Sequence, residues 1–375
     1  MPSAVIAGAG VFGASLGHRL TLSGWDVTIV DPYAPGHVRA ASGHETRLIR
    51  FAHGPDRWYV RSARRARELW RELEEESGRS LMIECGIAWF ARREDGWEAQ
   101  SEEALRAERV PNARLSVDET AALFPSFDGD GLAFVLYEPE AGILRARDCV
   151  HALMEVTLSR GARLLAGAAR PDGDAVLVGD ERLEADRVIW ACGAWLPSIF
   201  PELVQIRVTK QDVLHFGNDA SWSCPPVPGW VDYDAAVYGT GDVDGHGVKV
   251  APDREGPSFD PEAGRRVASP ENEERAREYI ATRFPGLTGA PLVGARTCPY
   301  ALTPDTHFLI APHPEHERVW FLGGGSGHGF KHGPALAEYV QELLEGGAEP
   351  DPRFALGERP PAMSLRTAGG RGLRR

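Results

Sequence analysis

The chain has 375 residues, 43% of them hydrophobic and 25% charged, a balance that suits a soluble globular protein of one large or two intertwined domains. Acidic residues exceed basic ones, 54 against 41, for a net charge of −13, and a surface of that sign repels phosphate backbones and argues against a nucleic-acid partner. Five scattered cysteines, Cys85, Cys149, Cys192, Cys224 and Cys298, with no CxxC among them, argue against a disulfide framework and a structural metal site; no metal is expected.

The N-terminus lacks a basic segment ahead of its apolar run and does not read as a signal peptide. The longest apolar stretch, residues 188–200, is broken by Gly193 and Pro197 and is too short to span a bilayer. A cytoplasmic setting with no membrane partner is expected. The closing SLRTAGGRGLRR has no apolar period and reads as a disordered tail.

In chain order, residues 4–7 read as a buried parallel strand, followed by Gly8, Gly10 and Gly13 as GxGxxG. Val11 and Phe12 open a helix, Gly24 stops it, and a second strand ends on Asp31. Each part has a role in a dinucleotide cradle. Gly8 allows the tight turn, Gly10 lets backbone approach a pyrophosphate, and Gly13 lets helix and strand pack closely. The helix N-terminus favours phosphate, and an acid at the Asp31 position accepts from a ribose. This context makes the motif specific, and the acid disfavours a 2′-phosphate; NAD and FAD both remain open.

Residues 41–54 carry Ser42 and Glu45 at capping-box spacing, predicting a helical turn from Gly43 that puts Arg47 and Arg50 on one face. Two arginines there suit an anionic ligand or a solvated surface pair. A long amphipathic helix is predicted at about 58–77, strand at 81–91, a short capped helix from Ser116, strand at 132–137, and a helix, Gly161 stop and strand over 149–167. Residues 187–195 form another buried strand ending in a glycine turn at Gly193 and Trp195. From about 204 to 294 short strands lie among Gly, Asp and Pro, with a helix capped by Ser269 and running to Arg283. This block is expected to be an antiparallel sheet. Taken alone, Lys249 reads as an outward-facing strand lysine and Tyr238 as a half-buried aromatic. Finally, strand 320–324 runs into Gly324, Gly327, His328, Gly329, Phe330 and Lys331, before a helix beginning at Pro334. Those glycines bring backbone close to something flat or anionic, and they leave little but a ligand to bury Lys331. His328 alone reads as a hydrogen-bonding loop residue, and Cys298 alone as a small buried hydrophobe.

The order GxGxxG, S-x-x-E-T-R-x-I-R, K-V at 249, T-C-x-Y-x-x-T-P-D and G-G-x-S-G-H-G-F-K resembles the monomeric sarcosine oxidase and N-methyltryptophan oxidase group of the D-amino-acid-oxidase-like flavoenzymes, from residue 3 to about 346. The resemblance implies an α/β fold, α+β overall: a Rossmann-type FAD-binding domain (1–80, 142–203 and 295–350) and an antiparallel-sheet substrate domain (81–141 and 204–294). Residues 351–375, beyond the resemblance, are expected to be a flexible extension. It implies an oxidase of a small amine or imino acid that carries a carboxylate, with O2 as electron acceptor and H2O2 as product. Relatives of this type are often monomers, so a monomer or small homo-oligomer is expected.

Carried over by position, Arg47 would lie against the flavin ring, Lys249 would activate O2, and Tyr238 would line the substrate pocket. Arg50 and Lys331 would pair with the substrate carboxylate. Cys298 would bond through sulfur to the flavin. Gly8, Gly10, Val11, Phe12, Gly13, Asp31, Ser42, Thr46, Arg47, Gly193, Trp195, Gly324, Gly327, His328, Gly329, Phe330 and Lys331 would hold FAD. Two positions depart from the group: Gly43 and Asp253 stand where members active on sarcosine have histidines. They leave the substrate open, and an added carboxylate could favour a cationic or polar group. A dehydrogenase of the same fold with a non-O2 acceptor is the alternative, followed by an NAD-dependent dehydrogenase.

Overall fold

The structure is a computed structural model that describes residues 1–361; the tail SLRTAGGRGLRR lies outside the described residues. A six-stranded sheet forms from Leu309–Pro312, Val319–Gly323, Arg187–Trp190, Ser3–Ala7, Asp26–Asp31 and Arg163–Ala166, in that spatial order. All neighbours run parallel except the first pair. Alternation along Ser3–Ala7 shows why the sheet is buried on both faces. Ala4 and Ile6 pack with the helices Val11–Leu22, Ala146–Ser159 and Gly333–Leu344, while Val5 and Ala7 pack with a three-stranded antiparallel sheet at residues 169–183. The sequence reading did not anticipate that small sheet.

The second large sheet has eight strands: Leu292–Leu302, Arg207–Phe216, Val248–Pro252, Val237–Thr240, Gly229–Asp232, Ile87–Ala91, Phe134–Glu138 and Ala113–Leu115. It is antiparallel except where Gly229–Asp232 runs alongside Ile87–Ala91. The helix Pro270–Arg283, capped by Ser269 as expected, packs on one face through Ala276, Tyr279 and Ile280. Leu292–Leu302 pairs with Arg207–Phe216 along its full length, so Cys298 lies in this sheet, opposite Gln211.

The helical turn predicted from Gly43 does not form. Thr46–Ile49 is a strand, paired antiparallel with Gly142–Arg145 and placing Arg47 opposite Leu144. The capping pair is used across the fold instead: the Ser42 hydroxyl accepts from the Val11 N–H at 2.8 Å, and Glu45 pairs with Arg296 at 2.9 Å. Tertiary partners outbid a local cap that would have satisfied only one turn.

The long helix spans Arg57–Ser77, with Asp56 as N-cap and Gly78 as C-cap. The predicted strand at 81–91 divides into Met82–Ile83 and Ile87–Ala91, which join different sheets. The extension from 351, expected to be flexible, is docked over its described part. Phe354 is fully buried, its ring 4.9 Å from that of Trp58, and Arg359 reaches Asp305 and the Phe308 carbonyl. Among the described residues, no helix is long and apolar enough to cross a membrane.

Candidate active site

Residues of both large sheets line one cavity of ≈390 Å³. At one end is the glycine turn. Gly8 sits at φ +110°, where other residues are strained, and a Cβ on Gly13 would lie 1.9 Å from the Gly8 carbonyl oxygen. Gly13 therefore packs beneath the turn, while Gly8, Gly10, Val11 and Phe12 line the cavity. Asp31 accepts from the Ala9 N–H at 2.7 Å and the Tyr33 N–H at 2.8 Å. Burial raises its pKa and those two donors oppose the shift, so the carboxylate is held by backbone at the cavity edge. Ser42, Gly193 and Trp195 continue the wall.

The other end is crowded with cations. Arg47 donates to the carbonyls of Thr46, Ala41 and Gly43 and reaches the Cys298 sulfur at 3.7 Å. Arg50, 7% exposed, donates to Ala52 O at 2.8 Å and stacks over Trp89 at 4.9 Å. Burial lowers its pKa, opposed by Glu138 and Asp253. Lys331 is 2% exposed, and its ammonium donates to His328 O at 2.9 Å. Protein alone buries it, although the flanking glycines were expected to leave little but a ligand to do so, and burial followed by the nearby Arg50 charge pushes its pKa well below the usual lysine range.

Lys249 corrects the reading of its strand. It is 2% exposed rather than outward-facing, and its ammonium bonds Thr46 O at 3.2 Å and Thr46 Oγ1 at 3.4 Å, 5.0 Å above the Tyr238 ring. Burial, followed by Arg47, lowers its pKa to about 7. Lys249 and Thr46 stand directly behind the cavity-lining residues rather than among them; Tyr238 is half-buried and lines the cavity. Burial raises the Cys298 thiol, opposed by the positive charges of Arg47 and Lys249. Gly324, Gly327, His328, Gly329 and Phe330 complete the lining, with Phe330 stacked on Trp70 at 6.0 Å.

The two departures have structural consequences. A Cβ at Gly43 would lie 2.4 Å from the His37 carbonyl oxygen, so this backbone leaves no room for a side chain there. Asp253 lines the cavity, 4% exposed, and accepts from the Tyr300 hydroxyl at 3.1 Å. Sequence reasoning gave Tyr300 no role, although strand alternation places it on the face of Cys298, two residues before it. It also missed Glu138, a buried carboxylate that accepts from the N–H groups of Phe51 and Ala52 and from Trp89, and no local signal marks that residue. Burial lowers the His53 and His332 pKa values well below the usual range, helped by Lys331.

A dinucleotide cradle on a parallel sheet, roofed by an antiparallel sheet that brings Cys298 and Tyr238 to a cavity also lined by Arg47, Arg50 and Lys331 from neighbouring segments, defines a dinucleotide-cofactor oxidoreductase. The glycine turn and the backbone-held Asp31 fit the adenosine diphosphate portion of such a cofactor. The chain belongs to the FAD dependent oxidoreductase family, whose profile matches residues 3–343. It is 30% identical to monomeric sarcosine oxidase of Bacillus sp. (strain B-0618), covering 92% of this chain and 93% of that one. It is 25% identical to N-methyl-L-tryptophan oxidase of Salmonella arizonae, covering 94% and 96%. Among solved structures, L-proline dehydrogenase from P. horikoshii superposes with a TM-score of 0.81 at 21% identity, over 94% of this chain and 96% of that one, a likeness of fold.

Proposed function

We propose that this protein is an FAD-dependent amine oxidase. It oxidises the C–N bond of a small secondary amine, an N-alkyl or cyclic amino acid, and reduces O2 to H2O2. The observation that carries the reading is the placement of Arg50 and Lys331 on one cavity with Arg47, Tyr238 and Cys298, and with Lys249 directly behind. The names of the two sequence relatives specify sarcosine and N-methyl-L-tryptophan, both N-methylated amino acids.

FAD held in this cavity would supply the two-electron acceptor for the substrate C–H, with O2 as the final acceptor. The substrate carbon loses a hydride and its nitrogen a proton, leaving C=N; O2 takes two electrons and two protons. Arg50 and Lys331 hold the substrate carboxylate through charge-assisted hydrogen bonds and so orient the carbon to be oxidised. The same cations favour the neutral amine, the form that can release hydride. The cradle from Gly8 to Phe12, with Asp31 and Ser42, holds pyrophosphate and ribose, and the loop from Gly324 to Lys331 holds the flavin end. Arg47 stands beside Cys298, whose sulfur would bond a flavin methyl carbon, the S–H and one C–H being lost and the two electrons passing through the flavin to O2. Lys249 supplies a fixed positive charge as O2 is reduced. A reducing cytoplasmic setting agrees with the five free cysteines.

The test is an anaerobic panel of sarcosine, N-methyl-L-tryptophan, L-proline and L-pipecolate, followed by admission of air. Bleaching of the yellow colour by a panel member and one peroxide per turnover are expected. No bleaching by any member overturns the substrate class, and bleaching without peroxide makes the protein a dehydrogenase.

A further inference from the structure

Three buried histidines gather beside Arg50 and Lys331, and the function proposed above uses only one of them. His53 follows Arg50 closely in the chain, and His328 and His332 flank Lys331. One ring nitrogen from each lies within 4.8 Å of the other two. His53 Nε2 and His332 Nε2 are 3.4 Å apart, longer than the roughly 2.7–3.2 Å of an ordinary hydrogen bond.

The second ring nitrogens decide what the first ones present. A carbonyl can only accept, so His53 Nδ1 carries the proton given to Phe51 O at 2.8 Å, and its Nε2 offers a lone pair. His328 Nε2 donates to Thr306 O at 2.9 Å in the same way, leaving Nδ1 as the lone-pair atom. His332 Nδ1 lies 2.9 Å from the Ser62 hydroxyl; when it donates there, its Nε2 presents a lone pair toward His53 Nε2. Metal-ligating histidines are oriented in this way, the outer N–H held by a carbonyl or hydroxyl.

We propose that His53, His328 and His332 form a binding site for one divalent transition ion of borderline softness, represented by Zn2+. Three imidazoles without a thiolate or carboxylate suit such an ion and not Mg2+ or Ca2+. An equilateral triangle with a side of 4.8 Å has its centre about 2.8 Å from each corner, so ring movements of under about 1 Å reach the Zn–N distance of about 2.0–2.1 Å. Water fills the fourth position. Arg50 and Lys331 oppose the added charge, and the buried Glu138 beside Arg50 offsets part of it. The ion would tie the segment after Arg50 to the turn that carries Lys331, and so stiffen the wall that bears both cations.

The experiment uses the full-length, flavin-loaded protein, stripped with chelator and dialysed to equilibrium against Zn2+. Bound metal is counted in wild type, His53→Gln, His332→Gln and His316→Ala. The last removes a surface histidine beside Asp174 and His313, a second place where zinc could settle. One zinc per chain is expected in wild type and in H316A, falling to the level of adventitious metal in H53Q and H332Q. X-ray absorption of the zinc-loaded wild type, which needs no variant to fold, should show three imidazole nitrogens. Absence of a stoichiometric zinc, full retention in H53Q and H332Q, or fewer than three imidazoles overturns the proposal.

Discussion

Replacing Lys249 with Met removes a buried charge while keeping an unbranched chain of similar volume. Lys249 is 2% exposed and its ammonium is anchored at 3.2 Å to a strand carbonyl, so it cannot swing out to solvent without breaking buried contacts. A unit charge facing a developing negative charge across about 4 Å, at an effective dielectric of about 20, contributes about 4 kcal/mol. Each 1.36 kcal/mol is about tenfold in rate, so the reaction of the reduced enzyme with O2 should slow by about a thousandfold. The reductive half-reaction should change by less than about tenfold, because Arg50 and Lys331 still hold the substrate carboxylate. The pH profile adds a second readout. With a pKa of about 7, Lys249 is charged at pH 6 and largely neutral at pH 8. The O2 reaction of the wild type should therefore fall as pH rises through about 7, whereas that of K249M should be slow and flat. Stopped-flow mixing of reduced enzyme with O2, beside anaerobic mixing of oxidised enzyme with substrate, separates the two half-reactions. Equal slowing of both, or a wild-type O2 rate that does not depend on pH, refutes the oxygen role.

Acid precipitation should leave the yellow colour with wild-type protein and release it from Cys298→Ser; colour in the wild-type supernatant would rule out covalent attachment. Truncating Arg50 or Lys331 to Met removes a charge-assisted hydrogen bond of about 1.5–3 kcal/mol, so kcat/KM for a carboxylated amine should fall roughly 10- to 100-fold, and far less for a matched amine without the carboxylate. His44 is buried, and burial followed by Arg47 lowers its pKa to about 4. Stability contributed by its neutral form is fully present above pH 6.5 and is lost as pH falls toward 4, because the unfolded chain binds the proton first. Between pH 7 and pH 5 that loss is about 2 kcal/mol, and His44→Gln should show a correspondingly shallower decline in urea melts. Phe354→Ala empties a fully buried site between Trp58 and Phe308 and should cost about 3–5 kcal/mol, seen as a lowered Tm; an unchanged Tm would mean that this segment is not docked in solution.

The sequence by itself determined the parts whose signals are local. Gly8, Gly10, Gly13 and Asp31 announce their geometry because a tight turn, a close helix–strand approach and an acid at a strand end each demand particular residue types within a short span. Ser116 with Glu119, and Ser269 with Pro270, mark helix starts for the same reason, and both helices form where predicted. The capping spacing of Ser42 and Glu45 failed because each side chain has a distant partner, Val11 and Arg296, and no spacing rule can register contacts to such remote residues. Lys249 failed the same way: alternation names the face of a strand, but only the packing of the Tyr238 ring and the strand carrying Thr46 decides that this face is dry. The grouping of His53 with His328 and His332, and of Glu138 with Arg50, joins residues far apart in the chain. Burial and electrostatic coupling depend on distance in space, so tertiary structure alone turned these residues from ordinary charges and rings into a site.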